Sequence, residues 1–316
     1  MYKNIFQKRT SSLSIVIMIA AIFAISIGNI SCNREPEPPA PLDIPEEFNE
    51  VGRLHNEGLE FAFEQIKAQA IESVKNPNVK RLFVEGNDIR EFAKKATLDF
   101  CRQNKKLKKD MDVYKLDVER FFTLNEGRKL VSEEISPALK GSLDELFSVL
   151  CIEFKKDDLP KLKAQLDAIN KKAVAKLSEA DATVLYCATS TGYSSYQYWM
   201  DNYKKWYFTM NFPEILEQYN NDELNKIQIK QGNIVRMGGP FSDFFDTVEN
   251  WWQKGTSTFV NWWNDHGIGQ IIAADVTGAA LGVFLSYQIG FPPLYGAVIV
   301  GANGSICAAQ TINDQW

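Results

Sequence analysis

Residues 276–309 read VTGAALGVFLSYQIGFPPLYGAVIVGANGSICAA, a stretch without a single Lys, Arg, Asp, Glu or His. Gly290 and Pro292-Pro293 divide it into two apolar halves. In the first half Ala274, Gly278, Gly282, Ser286 and Gly290 recur every four residues; in the second Ala297, Gly301, Ser305 and Ala309 do the same. Positions four apart lie on one face of a helix. A stripe of small residues there lets two helix backbones approach closely. The pattern predicts a helical hairpin over 267–316, closed as a glycine zipper through Gly278, Gly282, Ser286, Gly290, Ala297, Gly301 and Ser305.

Whether such a hairpin sits in a membrane or in a protein core is a question of length and polarity. Ile268 to Ile289 matches the ~20 residues a bilayer span needs; Leu294 to about Ala309 is slightly short. Gly, Ser, Thr, Tyr and Asn dilute both halves. Asp275 would cost about 2.5–3.5 kcal/mol near a bilayer centre. These terms favour a hairpin sheltered by the rest of the chain.

Upstream, residues 241–266 form a Trp-rich segment. Asn250-Trp251-Trp252 recurs eleven residues later as Asn261-Trp262-Trp263, close to three helical turns, so both pairs face the same way. Two readings stand side by side: indoles at a membrane–water interface, or indoles capping the core where the hairpin enters.

Residues 46–240 carry helical periodicity almost throughout. Phe48, Gly52, His55, Leu59, Ala62 and Ile66 share one face, and Asn76-Pro77 ends that helix. Asn87 or Asp88 caps the next. KKLKKD at 105–110 reads as a solvated turn or helix end. Ser136-Pro137 reads as an N-cap with Pro in the first turn. Asp158 starts a further helix along Leu162, Leu166, Ile169, Ala173 and Leu177. Ser178 with Asp181 forms a capping box for a long helix reaching about Phe208. Only Ile227 to Val235 could hold a short strand. The fold class is all-α, a multi-helix body with a C-terminal glycine-zipper hairpin.

The long helix carries an aromatic stripe, Tyr196, Trp199, Tyr203 and Trp206, beside a small one, Ala188, Gly192 and Ser195. The first reading is core, with the small stripe seating another helix, the tail hairpin being a candidate. The second is an aromatic pocket for a small ligand. His55, Asn56 and Glu57 form the densest polar cluster, and His55 lies on the apolar face. Asp275, beside the hairpin, is a partner His55 could reach. A catalytic His–Asp pair would still need a nucleophile. HExxH, CxxC, GxSxG, P-loop and GxGxxG are all missing, so no metal, cofactor or catalysis is expected. Cys101, Cys151, Cys187 and Cys307 lie in apolar runs, as buried thiols or as bridges.

The chain opens with Lys3, Lys8 and Arg9, an apolar run from Leu13 to Gly28, and Ile30-Ser31-Cys32. This resembles a bacterial lipoprotein signal peptide ending in a lipobox, with Asn29 where Leu is usual. The resemblance implies cleavage of 1–31 and acylation of Cys32. Asn rather than Asp at position 33 implies the outer membrane. Residues 32–45, with prolines at 36, 38, 39, 41 and 45, form an extended tether. Without residues 1–31 the chain has 32 basic and 40 acidic residues, a net charge of −8, which argues against nucleic acid. The body is similar to uncharacterised bacterial lipoproteins with glycine-rich tails, through His55-Asn56 with Leu59, Ser194-Ser195 with Tyr198-Trp199, and Asp275 with Gly278-Ala279 and Gly282. That likeness implies no catalytic role. The expectation is a lipid-anchored envelope protein with an interaction or structural role. The alternatives are a membrane-active protein inserting its hairpin, as toxins and bacteriocins do, and a ligand-binding lipoprotein.

Overall fold

The computed structural model describes residues 40–75, 86–114, 135–150, 152, 156–211, 229–230, 233–234 and 268–314. Cys32 and the signal segment, Asn76-Pro77, Cys151, His266 and the Trp repeat at 241–266 lie outside the described residues. Pro41–Trp316 forms one compact unit, distinct from Met1–Ala40.

The elements are α1 (Glu46–Lys75), α2 (Gly86–Gln103), α3 (Lys105–Tyr114), α4 (Pro137–Leu150), a 3-10 turn (Lys156–Asp158), α5 (Leu159–Val174), α6 (Glu179–Asn211), a two-residue ladder, α7 (Ile268–Ile289) and α8 (Pro293–Asp314). The fold is all-α. The ladder, β1 (Ile229–Lys230) with β2 (Asn233–Ile234), pairs Ile229 with Ile234 in antiparallel fashion.

Helix ends follow local chemistry. Ser136 Oγ accepts from Leu139 N at 3.1 Å, and Pro137 opens α4. Ser178 Oγ accepts from Asp181 N at 3.1 Å. The Asp181 carboxylate accepts from Ser136 Oγ at 2.8 Å, so one hydroxyl ties two helix starts together. Asp158 stands at the N-cap of α5, but its side chain does not bond the first turn. One boundary differs from expectation: Asn87 and Asp88 lie inside α2, which begins at Gly86. Lys105 to Asp110 is a helix end, the opening of α3, with Leu107 buried to 2% exposure. Ahead of α1, Leu42 is buried, and it exchanges hydrogen bonds with Asn49 at 3.2 and 3.1 Å.

α1 and α6 run parallel in a fixed register. Phe48 meets Tyr186, Gly52 meets Ser190, Asn56 meets Ser194 and Glu60 meets Tyr198. Each partner is 138 residues on, and the pairs repeat every four, one helix row against another. Gly52 makes the approach possible: a Cβ there would lie 2.6 Å from the Ser190 carbonyl oxygen.

α7 and α8 form the antiparallel hairpin, and it is packed into the body. α7 lies on α6 and α4; α8 lies on α1, α2 and α6. Ile271, Ile272, Val276, Ala279, Val283 and Leu285 of α7 are completely or almost completely buried. Gly192 of α6 is the seat: a Cβ on it would stand 2.8 Å from Val276 Cγ2. Gly290 belongs to no stripe. It ends α7 with φ +69, and Phe291 N reaches back to Ser286 O at 2.9 Å. That is a left-handed glycine cap closed by a six-to-one hydrogen bond.

Candidate functional site

The zipper seam is built from backbone against backbone. A Cβ on Gly278 would lie 2.7 Å from Val300 O, and one on Gly304 would lie 3.0 Å from Ala274 O. One on Gly282 would collide with the Gly296 carbonyl group and stand 2.8 Å from Ala297 N. On α7 the seam therefore uses Ala274, Gly278, Gly282 and Ser286. On α8 it uses Gly296, Val300 and Gly304, one residue ahead of the stripe read from sequence. Gly301 and Ser305 also face the body, toward His55 and Trp199, while the Gly301 backbone keeps a place in the seam, its Cα 3.1 Å from where a Cβ on Gly278 would stand. Ala297 shares both surroundings, since its backbone meets Gly282. Gly296 was missed because the every-fourth-residue rule also fits its neighbour.

Behind Gly301 lies a polar cluster that joins α1, α6 and α7. His55, Asp275 and Ser195 are each 0% exposed. Ser195 Oγ donates a short hydrogen bond to Asp275 Oδ2. His55 Nε2 lies 3.6 Å from the same oxygen. His55 Nδ1 faces Asn56 Oδ1 at 3.1 Å, and Asn56 Nδ2 donates to Ser194 O at 2.8 Å. With its NH2 committed to Ser194, the Asn56 amide turns its oxygen to the ring, so Nδ1 carries the hydrogen. A Cβ on Gly301 would come within 3.3 Å of His55 Cδ2 and 3.5 Å of Asp275 O, so the glycine leaves room for the ring. Among the described residues, His55 Nε2, Asp275 Oδ1 and Thr191 Oγ1 complete no protein hydrogen bond.

A His, a carboxylate and a hydroxyl in one place invite comparison with nucleophilic catalysis. The order is wrong for it. An activated serine gives its proton to the His, which the carboxylate orients from the far side. Here the carboxylate stands between them and takes the Ser195 proton's hydrogen bond itself. That differs from the Ser–His–Asp order: the hydroxyl donates to the carboxylate, not to the ring. Chemically it suits a three-helix tie in the core.

The aromatic stripe leads to a second cluster. Trp199 is completely buried against Tyr198 and Trp206, with ring centroids at 5.5 and 5.1 Å, and its Nε1 donates to Ser305 Oγ at 3.3 Å. Tyr196 is buried, with its hydroxyl 3.4 Å from Ile152 O; Tyr203 is partly buried against the same core. Trp199, Trp206 and Tyr196 thus pack in the core, and Tyr203 packs against it in part. Next to them Lys205 Nζ donates to both Glu60 oxygens at 2.7 and 2.6 Å, Tyr198 OH donates to Glu60 Oε2 at 3.0 Å, and Trp206 Nε1 donates to Tyr198 OH at 2.9 Å. Lys205 Nζ also lies 4.5 Å above the Phe63 ring. Burial, and after it the Glu60 charge, pushes the Tyr198 hydroxyl well above its ordinary pKa. Sequence reading missed this network. Its signal was that Glu60 and Tyr198 continue the four-residue rows of Gly52-Asn56 and Ser190-Ser194.

Burial raises the Cys101 thiol to about 12 and the Cys187 thiol further still; both are free. Cys307 Sγ lies 4.0 Å from Asn303 Oδ1. Among the described residues no three His, Cys, Asp or Glu side chains gather as a metal site. No protein family, no curated protein and no solved structure matches this chain.

Proposed function

We propose that this chain is a lipid-anchored protein of the bacterial cell envelope, carried on acylated Cys32, whose helical body has a structural or interaction role without catalysis. The observation that carries the non-catalytic reading is the fate of His55, Asp275 and Ser195. The constellation nearest to chemistry is sealed in the core with its carboxylate in the middle. The anchor rests on Ile30-Ser31-Cys32 and the prolines that follow. Asn33 favours the outer membrane as destination, and a net charge of −8 after residue 31 speaks against nucleic acid as a partner.

A second reading has one observation in its favour. Ile271–Ile289 is long and apolar enough to cross a membrane, and most of it is buried inside the protein. In that reading the hairpin leaves the body and inserts. Insertion would strip Asp275 of Ser195 and expose the small-residue faces of α6 and α1, which makes the sheltered hairpin the better reading.

Metabolic labelling with a palmitate analogue tests the anchor: Cys32→Ala is expected to abolish incorporation, and equal labelling of both proteins would overturn it. Alkaline carbonate extraction tests the hairpin. The Cys32→Ala chain is expected in the soluble fraction; retention in the membrane would put the inserting reading in its place.

A further inference from the structure

The helix directions gather two features at one end of the bundle. α1 and α6 are parallel. α8 follows them, because Gly301 lies by Thr191 and Ser305 by Trp199. α7 runs the other way, with Asp275 on Ser195 and Val276 on Gly192. The turn between α7 and α8 therefore lies at the end where α6 begins. From the Val276–Gly192 contact, α7 continues to Gly290 and α6 extends back to Glu179, each about 20 Å at ~1.5 Å per residue. The turn is level with the start of α6.

The surface of this turn is uncharged and largely apolar. Tyr287 is 48% exposed, and Ile289, Pro292, Leu294 and Tyr295 are partly exposed. No charged residue occurs from Val276 to Asn313. Among the described residues, Glu46, Glu47, Glu179 and Asp181 open α1 and α6, and Lys171, Lys172 and Lys176 stand at the end of α5 and just after it, so these groups make no basic excess that would draw an acidic partner. Exposed tyrosine with a polar tip on an apolar rim suits the headgroup layer of a bilayer.

The tether joins the body in the same half. Leu42 is bonded to Asn49 in the first turn of α1, and Phe48 beside it meets Tyr186 near the start of α6. Residues 33–41, at ~3.3 Å each, reach about 30 Å at most. A body on so short a lead stays within touching distance of the membrane that holds it.

We propose that the α7–α8 turn is a membrane-contact tip that rests among zwitterionic lipid headgroups of the same bilayer that holds the acyl chains. This rests on the lipid-anchor reading. The test uses the mature chain with Cys32→Ala, co-sedimented with phosphatidylethanolamine–phosphatidylcholine vesicles, and with the same vesicles enriched in phosphatidylglycerol. Tyr287→Glu with Gln288→Glu is expected to weaken vesicle binding about tenfold or more, roughly 1.4 kcal/mol, with an unchanged far-UV spectrum. Val74→Glu, on an exposed residue near the opposite end of α1, is expected to leave binding unchanged, and phosphatidylglycerol is expected not to strengthen it. Equal binding by the tip variant, no binding to any vesicle, or binding only with anionic lipid would overturn the tip. Acyl labelling of the wild-type chain separates the two failures: labelling without tip binding overturns the tip alone, and missing labelling overturns the anchor.

Discussion

Adding one methyl group at Gly282 tests the packing of the whole hairpin. Gly→Ala inside a helix normally stabilises by about 0.5–1 kcal/mol, because glycine loses more backbone entropy on folding. Gly141 of α4 has nothing within 4 Å of an added Cβ, so Gly141→Ala is expected to show that gain undisturbed. At Gly278 the new Cβ would meet the backbone oxygen of Val300 at 2.7 Å, closer than a Cβ approaches such an atom, so the two backbones must shift; Gly278→Ala should lose more than its propensity gain, though less than Gly282→Ala. At Gly282 the Cβ falls on the Gly296 carbonyl, a rigid backbone group. The two helices must part there by about 1 Å, and a gap of 0.5–1 Å forfeits about a quarter to a half of each contact's dispersion energy. Overpacking of this kind costs about 1–3 kcal/mol, and the backbone location places Gly282→Ala at the upper end. Net destabilisation of about 2 kcal/mol lowers the melting temperature by about 4–8 °C for a body of this size. Urea unfolding and thermal melts followed by far-UV circular dichroism read the series. If Gly282→Ala melts at or above the wild type, as Gly141→Ala should, the seam is not the close contact described.

Asp275→Ala leaves the Ser195 hydroxyl without its acceptor in a sealed core and should cost about 1–3 kcal/mol; Asp275→Asn, which keeps an acceptor, should cost less, as urea unfolding of both would show. Glu60→Ala strands Lys205, only 5% exposed at its side chain, and should destabilise by about 1–3 kcal/mol, whereas Glu60→Ala with Lys205→Met should recover part of the loss in a double-mutant cycle. Glu50 is held at about 2, below its ordinary value of 4.5, chiefly by the hydrogen bond from Arg53. Its stabilising effect is therefore complete above pH 4.5 and fades as pH falls toward 2, so Glu50→Gln should flatten the acid limb of stability against pH, by about 1 kcal/mol or less for a surface pair.

Helices were legible because each buries one face, and faces recur every three to four residues. Ser136-Pro137 and Ser178 with Asp181 marked two helix starts through chemistry confined to four residues. Gly278 and Gly282 stood out because nothing larger fits a close crossing. What stayed hidden depends on register between distant segments. The 138-residue offset of α1 and α6 decides that Glu60 meets Tyr198 and Lys205, and no local pattern encodes an offset. The same limit applies to the site. His55 and Asp275 could be paired as a lone buried His and a lone acid, but Ser195 as the third member follows only from how α6 lies between their helices. On α8 two stripes of small residues run side by side, and only the position of α7 decides that Gly296, Val300 and Gly304 form the seam while Gly301 faces His55.

The sheltered hairpin also sets the order in which this body can be completed. A growing chain presents α1 and α6 before α7 and α8 exist. Until the last segment arrives, Gly192, Thr191, Ser195 and the His55 face of α1 have no cover. Contacts that join the first helix to the last close large loops, which slows folding and leaves apolar surface open meanwhile. A product cut short before Ile268 would keep that surface open permanently and be a ready substrate for proteolysis. The tail thus acts as a completeness check: only a chain finished past Ser305 can bury its own middle.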